Sequence, residues 1–155
     1  MERLSMRHRT LTLFAVAALL AACKPAVPVK DLMAKDVQPS AQAYWDSVRF
    51  ISDETGDHDI FPRTDAEWQK TREAAAKLAE LGEQLKSSDY SAEHGPDWIE
   101  FSDGMIQVAG KAEQAAIDKD VDAVFEVGGT LYSVCSACHQ AYLPREQAAE
   151  VDAAN

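Results

Sequence analysis

Several things are scarce in this 155-residue chain. Cysteine occurs three times, as Cys23, Cys135 and Cys138, too few for a disulfide framework. Basic residues are outnumbered, 15 against 26 acidic ones, for a net charge of −11. That is the opposite of the basic footprint nucleic-acid binding requires. No strand-like alternation of apolar and polar residues stands out. The apolar run Leu11 to Leu20 is too short to cross a bilayer comfortably. No phosphate-cradling loop, nucleophile–base pair or paired-carboxylate site is recognisable, so independent enzymatic turnover is not expected. Internal repeats are absent, and the only compositional bias lies in the Ala/Asp/Glu-rich tail at 146–155.

What is present begins with targeting. Arg3, Arg7 and Arg9 precede the apolar run, and Leu20-Ala21-Ala22-Cys23 follows it. This is the layout of a secretory signal over 1–22. Leu-Ala-Ala-Cys resembles the bacterial lipobox, which implies cleavage before Cys23 and acylation of that residue. Acyl chains would tether the protein to a membrane surface and leave it in the periplasm. Loss of 1–22 removes three Arg and one Glu, leaving 12 basic and 25 acidic residues, net −13. Such a field either maintains solubility or steers a redox partner bearing a basic patch.

Residues 23–30, with Pro25 and Pro28, read as a tether. Beyond them the periodicity predicts an all-α domain over 31–145, with four helices and short loops, hence an antiparallel four-helix bundle. The first helix carries Met33, Val37, Ala41, Tyr44, Val48 and Ile51. Pro39 either kinks it within 31–52 or marks where its regular part begins. Thr55 to Pro62 is a loop by composition. Thr64 with Glu67 forms a capping box for the second helix, whose seam is Trp68, Thr71, Ala75, Leu78, Leu81, Gly82 and Leu85. The third helix, 97–117, places Trp98, Phe101, Met105, Val108, Ala112 and Ala115 on one stripe. The fourth carries Val121, Val124, Gly128, Leu131, Cys135, Cys138 and Tyr142, and Pro144 stops it.

On that fourth helix stands Cys135-Ser136-Ala137-Cys138-His139. Cys-x-x-Cys-His is the attachment pattern of haem c. Two thiols spaced i, i+3 share a helix face and can form thioethers with the haem vinyl groups, and the adjacent imidazole becomes the proximal iron ligand. The competing readings are weaker. A thioredoxin-like pair belongs in a βαβ setting. Structural zinc needs four ligands. A disulfide across the pair, as in a redox-silent interaction lipoprotein, leaves His139 without a role.

An all-helical chain with this motif near its end resembles the cytochrome c prime family, the class II c-type cytochromes. The resemblance covers about 31–145 and rests on Cys135, Cys138 and His139, with Tyr142 where the family often has an aromatic. The chain departs from the family at Leu143, where Arg is common, and Arg145 lies two residues further on. The resemblance implies one covalent haem and a function decided by the iron face opposite His139. A Met from the first helix gives a low-spin electron carrier, and Met/His ligation raises the reduction potential. An apolar residue there leaves a five-coordinate iron that binds nitric oxide or carbon monoxide. Met33 is the candidate ligand, with core packing as the alternative; Met105, on a continuous core stripe, is the lesser candidate. The family also implies a homodimer through the first helices.

Other residues have plainer expected roles. Gly128 and Gly129 either admit a bulky group or allow tight helix packing. Trp45, Trp68 and Trp98 build core or line the haem edge. Arg49 and Arg145 are candidates to offset haem propionates, with surface charge as the alternative. His58 and His94 are expected at the solvated surface.

Overall fold

The computed structural model describes residues 26–143. The signal segment 1–22, Cys23, Arg145 and the tail 146–155 lie outside them. The described chain is mostly helical with one small sheet. Helix α1 covers 29–45 in three parts: Val29–Leu32, a π-helical turn Met33–Val37, and Gln38–Trp45. A hairpin follows, β1 Arg49–Asp53 and β2 Gly56–Ile60. Then come α2 Asp65–Lys86, the single-turn α3 Ser88–Ser91, α4 Pro96–Asp118 and α5 Val121–Tyr142.

Two sequence expectations are corrected here. The first helix ends at Trp45 rather than running to 52, and residues 49–60 form a strand pair where no strand was expected. Local chemistry accounts for the hairpin. The Asp53 carboxylate accepts from Thr55 N at 2.8 Å and from Thr55 Oγ1 at 2.6 Å, an Asx-type turn. Gly56 takes φ 123°, open only to glycine at low cost, and closes the two-residue loop. Both strands are exposed except at Ile51, so no clean alternation between faces was there to be read.

Pro39 does not break α1. A proline lacks the N–H for its i−4 carbonyl and its ring collides with that carbonyl. The wide turn Met33–Val37 lies just ahead and takes up this misfit, a usual role for a π-bulge. Thr64 and Glu67 form the expected capping box: Glu67 N bonds Thr64 Oγ1 at 3.3 Å and Thr64 N bonds the Glu67 carboxylate at 2.9 Å. Between α4 and α5 the chain turns at Lys119 in the left-handed region, φ 56°.

The packing directions follow from cross-contacts. Helices α2 and α4 run antiparallel: Lys119 pairs with Asp65 at one end, Arg72 with Glu113 between, and Trp98 Nε1 donates to Leu85 O at 2.7 Å near the other. Gly82 makes this approach possible, since a Cβ there would lie 2.6 Å from Ile106 Cγ1. Helices α4 and α5 are also antiparallel, with Gly104 against Val134 and Trp98 against Tyr142. Helix α1 packs chiefly on α2. Its later residues also reach α5: Trp45 Nε1 donates to Gly128 O at 2.9 Å, and just past the helix Phe50 packs edge-on against Phe125 at 5.0 Å. Contacts therefore step back along α5 as the chain moves forward, so α1 and α5 run in opposite directions. The shared core is aliphatic and aromatic, centred on Tyr44, Leu78, Leu81, Val124 and Leu131.

Candidate functional site

Helix α5 holds Cys135, Cys138 and His139. Its N-terminus is capped by Asp120, whose carboxylate accepts from Ala123 N at 3.0 Å. Its C-terminus stops at Tyr142, with Leu143 in an extended conformation (φ −84°, ψ 141°) as a residue preceding proline prefers. Along its inward stripe Val124, Gly128 and Leu131 are buried, and none of the residues after Leu131 is. Val134, Cys135, Cys138, His139 and Tyr142 are only half-covered, though they continue the same helical register.

Cys135 and Cys138 are both free thiols. Burial, and secondarily the neighbouring Cys138, pushes the Cys135 thiol up to about 11. Burial raises Cys138 as well. A dithiol redox centre needs the reverse, a thiolate favoured near neutrality. Burial lowers the His139 pKa, so its imidazole is held neutral, the form that binds a metal. Among the described residues no three His, Cys, Asp or Glu side chains converge as a metal-binding group. Two half-buried thiols one turn apart and a neutral imidazole thus lie together on one half-covered apolar stripe.

One side of this region is closed by an aromatic cluster. Tyr142 meets Trp98 edge-on at 5.1 Å, His94 at 5.3 Å and Phe101 at 6.2 Å. His94 corrects the expectation of a solvated surface histidine. It is half-buried and stacks on Trp98, with centroids 3.9 Å apart, and its Nδ1 lies 2.7 Å from Tyr90 O. A carbonyl only accepts, so Nδ1 carries the proton. Its spacing, four residues from both Tyr90 and Trp98, was the available signal. His58 is exposed on the hairpin, 2.6 Å from Thr55 Oγ1.

The remaining candidates separate by height. At about 1.5 Å per residue, Met33 lies about 18 Å back from Trp45 and His139 about 17 Å on from Gly128. Trp45 and Gly128 are bonded to each other and the helices oppose, so Met33 and His139 share one end of the molecule. Met33 is half-buried and packs against the core cluster. Met105 is buried within α4. Arg49 stands toward the other end beside Asp46, level with Val124 and Phe125 in an open groove of about 610 Å³, and is not beside the motif. Gly128 serves helix packing, because a Cβ there would lie 3.3 Å from Trp45 Cδ1, whereas Gly129 faces open space. Trp68 and Trp98 are core, and Trp45 is half-buried.

Comparison of the chain with protein-family models, with characterised proteins and with solved structures found no match.

Proposed function

We propose that this is a periplasmic, membrane-anchored monohaem c-type cytochrome acting in one-electron transfer, folded as an antiparallel four-helix bundle of the cytochrome c prime type. The observation that carries the reading is the second half of α5, where an apolar stripe bearing Cys135, Cys138 and His139 continues past the last buried residue and stays only half-covered. Cys135 and Cys138 would hold haem c through thioethers, and His139 would hold the iron as proximal ligand. When bound, the haem supplies a one-electron iron couple. The chain contributes a neutral imidazole, a low-dielectric wall built from Trp98, Phe101 and Tyr142, and an acidic surface suited to a partner with a basic docking patch. Met33, at the right end of α1, is the distal ligand in this reading, and Cys23 is the acylated anchor.

A second reading is favoured by one contact: Met33 already packs against the hydrophobic cluster. If it stays there, the iron is five-coordinate and binds nitric oxide or carbon monoxide. Oxidised and reduced absorption spectra, with and without carbon monoxide, separate the two. Low-spin iron indifferent to carbon monoxide supports electron transfer, and Met33→Ala then opens the iron to added ligands. High-spin iron that takes up carbon monoxide supports gas binding. An unchanged spectrum in Met33→Ala removes Met33 as a ligand.

A further inference from the structure

We infer that the end of the molecule carrying Cys135–His139 faces the membrane, so that electrons are exchanged with a membrane-bound partner. This rests on the cytochrome and lipid-anchor readings above and adds the direction in which the site points.

The argument is one of chain polarity and reach. Helix α1 begins at Val29, and its direction opposite to α5, read from the Trp45–Gly128 and Phe50–Phe125 contacts, puts that start at the same end as the C-terminus of α5. Cys23 lies six residues before Val29. Six residues fully extended reach at most about 22 Å. Helix α2 runs between the two ends of the molecule in 22 residues, about 33 Å. The anchor therefore cannot let the hairpin end replace the motif end at the bilayer without laying the whole molecule over.

Both ends are acidic, so the reach of the tether and not charge sets the orientation, and charge bears only on what the site meets. The hairpin bears Asp53, Glu54, Asp57 and Asp59, all exposed, which an anionic leaflet repels. The motif end offers Lys30 beside the tether. It also carries Asp89, Glu93, Asp97 and Glu100, exposed between α3 and the first turns of α4. Those acids fit basic side chains on a membrane protein standing next to the anchor rather than bare lipid.

The test uses the acylated holoprotein, haem ferrous, on phosphatidylcholine vesicles containing nickel-chelating lipid. A nitroxide is placed on Ala92→Cys at the motif end or on Glu54→Cys at the hairpin tip. Nickel at the headgroups shortens the relaxation of the nearer label, and the expected enhancement at residue 92 is several-fold that at residue 54. Equal enhancement, or more at 54, overturns the inference while leaving the anchor intact. A chain that does not sediment with vesicles overturns the anchor reading and this inference with it. For the partner, native membranes serve as the electron acceptor. Glu93→Lys with Asp97→Lys should slow exchange about tenfold, and Asp57→Lys with Asp59→Lys should change it little. The reverse ranking, or no effect from either pair, excludes a basic membrane partner at this end.

Discussion

Between Val121 and Leu131, α5 buries Val124, Gly128 and Leu131 under α1 and α4. From Tyr132 to Tyr142 the same helix repeats the same spacing with Val134, Cys135, Cys138 and Tyr142, yet buries none of them fully. The two halves differ in what lies opposite. Helix α1 reaches the first half through Tyr44 and Trp45, and its earlier turns pack on α2 instead. A stripe that a chain prepares but covers only in part is a candidate interaction surface or seat of a non-protein group. Here the sulfurs and the imidazole sit on that stripe, and the second is the reading we propose.

The comparison breaks most sharply at the sulfurs. Cys135→Ala with Cys138→Ala should abolish covalent haem, read as loss of one haem from the mass of the denatured chain exported by a host that matures such cytochromes. Wild-type protein lacking that mass would remove the distinction between the halves altogether.

Next come packing losses. Leu131→Ala, at 0 % exposure, should cost about 2–5 kcal/mol by denaturant titration. Val134→Ala, only half-covered, should cost well under half as much in the haem-free chain, and more once haem is attached. Equal costs in the haem-free chain would mean that the second half is covered after all.

Thiol reactivity sharpens the same point with pH. With Cys135 pushed up to about 11 by burial, from an ordinary 9.0, its thiolate fraction at pH 8 is roughly a hundredfold lower than that of a free thiol. Iodoacetamide should alkylate it correspondingly slowly in the folded haem-free chain, accelerating as pH rises toward 11. Ready alkylation at pH 7 would point to a redox dithiol instead.

The smallest effects come from neighbouring glycines. Gly128→Val should cost about 1–3 kcal/mol by overpacking Trp45. Gly129→Ala, facing open space, should gain about 0.4–1 kcal/mol. Both are read as shifts in the denaturation midpoint.

The helices were legible where local chemistry speaks for itself. The Thr64/Glu67 box, the α2 seam from Trp68 to Leu85 and the stop before Pro144 each follow from side chains within one turn. The hairpin was not legible, because almost all of its residues are exposed and its register is held by Asp53, Thr55 and Gly56 rather than by a buried face. Pro39 was legible as a disturbance that would kink α1 or start its regular part, but not as the widened turn Met33–Val37 that absorbs it. His94 was misread because its stacking on Trp98 is a tertiary contact.

By itself, the sequence set the helical content, the placing of two cysteines and a histidine on one helix face, and a strongly acidic charge. These depend on spacing and composition, which are local. The tertiary structure alone decided that Leu131 is fully buried and Cys135 only half-buried, that Met33 shares an end with His139, and that Gly128 yields room to Trp45. Which side of a periodic helix is covered, and for how much of its length, depends on the paths of the other helices.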